Sequence, residues 1–248
     1  MIKLYTFTVS HFSEKARWAL DYEGIPYLEK VLVPGPHQLV TRRVARRTEV
    51  PLLEHDGRFV QGSGAIVDYI ADSLGGTRLT ASDPAERARA VELEKTLDKV
   101  FGRGVQQVLY SVLLKDRRTV VDLWSSGGPR WTAAFYALAF PMVAKAVKRM
   151  YKTGDTEGIA KAKQRFRATF DELDAVLSRQ PYFGGDMPNR VDITVAALLA
   201  PVCRVPEHRV KWPAMPAELA EFEAGLRGRP TWNHVLRMYR EHRKPARL

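Results

Sequence analysis

The sequence predicts an α/β unit of order βαβαββα followed by an all-helical domain, and three observations carry this. Short apolar runs alternate with helical stretches as far as Leu74. An Asp56-Gly57 pair separates two short strand-like runs, the signature of a two-residue hairpin. Beyond Ser82 the apolar spacing is helical throughout, with no convincing strand.

In chain order, the apolar run 2–7 reads as a strand, and a short turn holding Ser10, His11, Phe12 and Ser13 leads into a helix. Phe12, Ala16, Ala19 and Leu20 fall on one face of that helix, and Gly24 stands where a helix stops on a left-handed residue. Residues 27–33 read as a second strand, broken by Pro34, Gly35 and Pro36 before a helix over 37–47. Pro51 opens the third strand, 52–55, where its missing N–H is tolerated, and 58–61 completes the hairpin. A helix over 63–74 carries Ile66, Tyr69 and Ile70 on one side.

A polar linker at 75–82 ends this unit, giving expected domains of 1–78 and 83–248. Asp83-Pro84-Ala85-Glu86 is a helix start, with an acid at the N-cap and proline at the first helical position. The seam Ala90, Leu93, Leu97, Val100, Phe101, Gly104 and Val108 continues through Gly102 and Gly104. Each glycine costs about 1 kcal/mol relative to alanine, so a bend or a close neighbour is expected there. A Gly/Ser-rich loop at 125–129 precedes helices at 131–147 and around Ile159 to Leu177. The segment 193–202, apolar on nearly every side, reads as the central helix of a bundle, opened by the cap Asn189-Arg190-Val191-Asp192.

Composition removes several classes of function. The single cysteine, Cys203, excludes an intramolecular disulfide, cysteine-pair redox chemistry and a cysteine-rich metal site, and no metal is expected. The longest uncharged apolar run, 133–144, is too short to span a bilayer and contains Pro141; with no leader pattern at the start, a soluble cytoplasmic protein with no membrane partner is expected. The net charge of +11 belongs almost wholly to the second part, since residues 1–80 hold ten Lys/Arg against nine Asp/Glu. Those cations are scattered along amphipathic helices (Lys161, Lys163, Arg165, Arg167; Arg237, Arg240, Arg243), as on a solvated face, so no nucleic-acid partner is expected.

The turn at 10–13 places hydroxyl groups at a helix N-terminus. Unpaired N–H groups and the helix dipole make such an end a seat for an anion such as a thiolate.

The whole arrangement resembles the cytosolic glutathione S-transferase family. The matching features are Leu4-Tyr5, Ser10 through Arg17, Gly24-Ile25-Pro26-Tyr27, Val50-Pro51-Leu52-Leu53, Ser63-Gly64-Ala65-Ile66 with Tyr69-Ile70, and Gly185-Asp186 leading to Asn189-Arg190-Val191-Asp192. The resemblance implies a thioredoxin-like N-terminal domain that binds glutathione as co-substrate and a helical domain that holds a hydrophobic electrophile. It also implies a homodimer and a role in detoxification.

The resemblance assigns residues as follows. Ser10 matches the hydroxyl of serine-type members that donates to the glutathione sulfur, with Ser13 left as the helix cap. Val50 precedes the family's cis-proline, Pro51, and pairs through its backbone with the cysteinyl part of glutathione. Ser63 matches the serine that holds the γ-glutamyl carboxylate. Gly62 stands where the family usually has Glu, Asp or Gln, with Gln61 one place earlier, and Glu49 stands where Lys or Gln is common. His37, Arg42, Arg43, Arg46 and Arg47 are candidates for a cation facing the glycyl carboxylate, against the alternative of a solvated helix face. Phe12 borders both subsites; Arg103, Gln107 and Tyr110 face the electrophile, with Trp124 and Trp131 further candidates from the following loop. Tyr5, too early for the catalytic tyrosine of tyrosine-type members, is expected in the core.

Two functions fit this reading. One is a transferase in which Ser10 stabilises the thiolate that attacks the electrophile; the other is a noncatalytic binding protein of the same family, which Gly62 and Glu49 would favour.

Overall fold

The computed structural model describes residues 1–45 and 47–244. Four strands form one mixed sheet of order β2-β1-β3-β4: β1 Ile2–Thr6, β2 Leu28–Val31, β3 Leu52–His55 and β4 Arg58–Gln61. β1 runs parallel to β2, with Lys3 opposite Leu28, and antiparallel to β3, with Leu4 opposite Leu53. The β3–β4 hairpin turns at Asp56-Gly57, both with positive φ, as the dipeptide requires.

Helix α1, His11–Glu23, ends on Gly24 at φ 71°, a left-handed residue whose N–H closes onto the last turn. It is buried on nearly all sides, including Glu14, Lys15 and Arg17, because it packs against the helix Ser63–Ser73 and, from the second part, the helix Arg190–Cys203. Helix α2, Gln38–Thr41, is a single turn where a helix over 37–47 is expected from sequence. Past it the chain continues in tight turns, with Arg43 N–H bonded to Val40 O and Val44 N–H to Thr41 O. The physical reason is lack of a partner: Leu39, Val40 and Val44 stay exposed, so no apolar face is buried to stabilise a longer helix. Arg46 lies outside the described residues. Helix α3 spans Ser63–Ser73.

The remainder is helical. Asp83 caps α4 (Pro84–Leu97) by accepting from Glu86 N–H at 2.8 Å. The helix runs on through a π-helical stretch, Asp98–Arg103, into α5 (Gly104–Leu113), so the two glycines mark a local change of winding. Then come α6 (Arg117–Ser125), α7 (Trp131–Tyr151, with Pro141 inside), α8 (Thr156–Leu177), α9 (Arg190–Cys203), α10 (Ala220–Ala224) and α11 (Pro230–His242). Every residue of α9 is buried, and its start carries the expected capping box: Asn189 accepts from Val191 N–H while Asp192 accepts from Asn189 N–H. α9 packs on α1, α4 and α11, so the main core is continuous from the sheet into the bundle. A second, smaller core joins α6 and α7 around Val120, Trp124 and Tyr136.

Candidate active site

The site is built at the N-terminus of α1. Ser10 is the N-cap: its Oγ accepts the Ser13 N–H at 3.2 Å, while the Ser10 carbonyl accepts from Glu14 N–H. This corrects the expected division in which Ser13 caps the helix. Ser13 is fully buried, and its Oγ accepts the Phe7 N–H at 3.3 Å, tying the helix to the end of β1. Capping uses a lone pair of Ser10 Oγ, so its O–H proton stays available to another acceptor.

His11 is buried, with Nε2 donating to Gly102 O at 3.0 Å. Burial pushes its pKa down to about 4, opposed by the bond to Gly102, so the ring is neutral near pH 7. Phe12, half-buried, lies against the same glycine, where an added β-carbon would stand 2.3 Å from Phe12 Cζ. The close approach expected at Gly102 is therefore made by the site's own turn.

Among the glutathione-side candidates, hydrogen bonds join the 47–51 segment to Gln61 and Gly62. The Val50–Pro51 bond is cis. Among the described residues Val50 N–H and C=O make no hydrogen bond, whereas Pro51 O accepts from Gly62 N–H at 3.0 Å. Gln61 Nε2 donates to both Arg47 O at 2.7 Å and Glu49 O at 2.8 Å, bracing the strand of backbone that delivers Val50. Gly62 takes φ 98°, open to glycine and strained for any side chain, which accounts for the residue type that departs from the family's habit. Ser63, nearly buried, opens α3, whose N-cap Gly62 supplies no side chain.

His37 sets its ring edge-to-face on Phe7 at 4.7 Å, and its Nδ1 accepts the Gly35 N–H. Burial lowers its pKa, against bonds to backbone that raise it. Arg42 is bonded to Gln38, and Arg43 and Arg47 are exposed. Glu49 stands between two cations, 3.9 Å from Arg47 and 3.6 Å from Arg103. Arg103 is thus brought to the glutathione side, beside Glu49.

On the electrophile side, Gln107 is half-buried on α5. Tyr110 is engaged at both ends, its Oη accepting from Trp124 Nε1 at 3.0 Å and its ring stacked on Tyr151. Trp124 is buried in the second core, and Trp131 is exposed on α7. Tyr5 is half-buried rather than in the core. Its hydroxyl donates to Glu54 at 2.7 Å, and burial together with that bond raises its pKa to about 12.

Sequence reasoning missed three features. Thr8 Oγ1 is buried without a hydrogen-bond partner among the described residues, directly beneath Gly127, where an added β-carbon would stand 2.2 Å away; the Gly-rich loop after α6 therefore rests on the turn that carries Ser10. Gln106, whose Oε1 is buried with no hydrogen-bond partner among the described residues, lies one turn beyond Gly102 on α5. Lys15 is fully buried, 2.6 Å from Glu94 and 2.8 Å from Asp98, and Arg190 pairs with Asp68 and the same Glu94. This network pins α1, α4 and α9 behind the start of α3, where a β-carbon on Gly64 would stand 3.4 Å from Glu94 Oε1.

Comparison with known proteins agrees with the fold of both parts of the chain. The family model for the glutathione S-transferase N-terminal domain matches residues 4–78, and that for the C-terminal domain matches residues 156–224. A glutathione S-transferase of Pseudomonas putida is 34% identical over 98 residues, 40% of this chain and 44% of the relative. A probable glutathione S-transferase of Nicotiana tabacum is 31% identical over 99 residues, 39% and 44% of the two chains. The chain thus spans less than half the length of these curated relatives. Two solved structures share the fold at low identity. A beta-etherase from Sphingobium sp. strain SYK-6 has a TM-score of 0.64 at 19% identity, covering 94% of this chain and 98% of that one. A glutathione S-transferase of Ceriporiopsis subvermispora in complex with glutathione also has a TM-score of 0.64, at 17% identity and 98% coverage of both. With its α/β part and its helical part each matched by the corresponding family model, the chain belongs to the glutathione S-transferase family.

Proposed function

We propose that this chain is a serine-type glutathione transferase, joining the glutathione thiolate to a hydrophobic electrophile, and that it works as a cytoplasmic homodimer. On this reading residues 1–78 bind glutathione and residues 83–248 hold the electrophile. The observation that carries it is the geometry of Ser10, whose Oγ accepts the Ser13 N–H and keeps its own proton for an acceptor at the N-terminus of α1.

A free thiol with pKa about 8.5 is mostly protonated at neutral pH, and a hydrogen bond to the thiolate together with a helix N-terminus stabilises the ionised form. The Ser10 hydroxyl donates to the sulfur, and the thiol proton leaves to solvent. The thiolate attacks an electrophilic carbon, the new C–S bond forms, and the leaving group departs with its electron pair. Val50 pairs through its free N–H and C=O with the cysteinyl backbone, as an added strand would. Ser63 and the start of α3 receive the γ-glutamyl carboxylate, and Gln61 holds the Val50 backbone in place. Glu49 does not oppose the glycyl carboxylate as a lone charge, because Arg47 and Arg103 flank it.

The deciding experiment compares the wild type with Ser10→Ala from about pH 6 to 9, following conjugation rate and the ultraviolet thiolate band of bound glutathione. The variant is expected to form the thiolate at higher pH and to recover rate as pH rises. A rate ratio independent of pH would reduce Ser10 to a cap, and equal rates throughout would remove it from the chemistry.

A further inference from the structure

We propose that the α6–α7 hairpin is a docking surface for an anionic lipid bilayer. Three observations lead there, none of them part of the glutathione site.

The first is an apolar stripe that none of the described residues covers. On α7 Trp131, Leu138 and Met142 are 51%, 86% and 69% exposed. Their spacing of seven and four residues puts them on one helix face, opposite Tyr136, Val143 and Val147, which close the second core. Large apolar side chains at such exposure, aligned along about three turns, mark an interaction surface.

The second is charge. Residues 117–152 hold seven Lys/Arg (Arg117, Arg118, Arg130, Lys145, Lys148, Arg149, Lys152) and one acid, Asp122. More than half of the chain's net charge of +11 therefore sits on this hairpin. Arg130 precedes Trp131, and Lys145 and Arg149 continue the line of the stripe beyond Met142.

The third is the order of these groups along the helix. An apolar stripe headed by tryptophan and bounded by cations whose alkyl stems reach toward a phosphate layer is the pattern of a helix lying in the interface plane. Among the described residues no helix is long and apolar enough to cross a membrane, so the binding is to the surface. Charge selects the occupant: two copies of this chain meeting through the hairpin would oppose two strongly cationic faces, whereas anionic headgroups neutralise one.

The test is co-sedimentation of the full chain with vesicles of phosphatidylcholine alone and of phosphatidylcholine with roughly one third phosphatidylserine. The wild type is expected to bind the anionic vesicles and not the neutral ones. Leu138→Glu with Met142→Glu, both at exposed positions, should weaken that binding at least tenfold. Arg89→Gln with Arg165→Gln, exposed on α4 and α8, lowers the net charge by the same amount and should keep most of it. Circular dichroism establishes that each variant is folded. The proposal is overturned by absence of binding to anionic vesicles, or by equal losses in the two variants, which would mean adhesion through net charge alone. It is also overturned if the stripe variant keeps its vesicle binding and instead dissociates a dimer in light scattering, which would make a second copy the occupant.

Discussion

Phe12 lies over the helix backbone at Gly102 so closely that a β-carbon there would stand 2.3 Å from its Cζ and 2.9 Å from its Cε1. The contact joins the turn of the N-terminal unit to the π-helical stretch of the long helix, and His11 adds a hydrogen bond to the same glycine's carbonyl.

Gly102→Ala is therefore expected to push Phe12 out of place and weaken glutathione binding several-fold, although alanine is the better helix former by about 1 kcal/mol. Phe12→Ala in the same chain should relieve the clash, so that the double variant binds no worse than Phe12→Ala alone. Isothermal titration of the three variants measures this; independent losses that simply add would show that the contact is immaterial to the site.

Gln61→Ala removes both bonds that brace Arg47 O and Glu49 O, while Ser63→Ala removes the hydroxyl proposed to hold the γ-glutamyl carboxylate. Ser63→Ala should cost about 1 to 3 kcal/mol of glutathione affinity, the range for a hydrogen bond to a charged group. Gln61→Ala should also weaken binding, and it should loosen residues 47–50 in hydrogen exchange, which Ser63→Ala should leave protected. Unchanged affinity in Ser63→Ala would place the γ-glutamyl carboxylate elsewhere.

Arg243, just past α11, reaches back to pair with Glu14 and Asp21 at 2.6 Å each and lies over the Trp18 ring. Burial pushes the Glu14 carboxyl up, but Arg243 and Arg17 outweigh that and hold it well below the usual range. Arg243→Ala leaves Glu14 facing Arg17 alone, and a loss of about 3 kcal/mol or more in urea unfolding is expected. A variant as stable as the wild type would show that Arg17 suffices.

Acid sensitivity follows from two histidines. His11 and His208 are buried, and burial lowers each to about 4 from an ordinary 6.5, with Gly102 O opposing the shift at His11 and Glu14 opposing it at His208. Because the folded-state value is the lower one, the unfolded chain takes up protons first as pH falls. The stability tied to these groups is complete above pH 6.5 and is lost as pH drops through 4, up to roughly 3 kcal/mol for each histidine. His11→Gln, which keeps a donor toward Gly102 O, should lose less stability between about pH 7 and 4.5 than the wild type. Parallel denaturation curves for the two would show that His11 does not carry the effect.

Much of this protein was legible in local chemistry. The hairpin at Asp56-Gly57, the stop at Gly24, the caps at Asp83 and Asn189, and the wholly apolar run that becomes α9 each follow from groups within a few residues of one another. Ser10, Val50-Pro51 and Ser63 were singled out as a set by the family resemblance, and the cis bond it implies at Pro51 is present in the fold. Other features depended on partners far along the chain. Which serine caps α1 was decided by Phe7, whose N–H takes Ser13 and leaves the cap to Ser10. The length of α2 was decided by the absence of a surface to cover Leu39 and Val44. Tyr110 was drawn into the second core by Trp124 and Tyr151, and Arg103 was drawn to Glu49.

The sequence by itself determined where most of the helices and strands begin, α2 excepted in its length, because capping, turn conformation and apolar periodicity are set by neighbours along the chain. Only the tertiary structure decided which polar groups are free and which are occupied, since a hydrogen bond or an ion pair depends on what another part of the chain brings within about 3 Å. Lys15 shows the difference. In sequence it is one more cation on a helix; in the fold it is fully buried between Glu94 and Asp98, holding two parts of the chain together behind the start of α3.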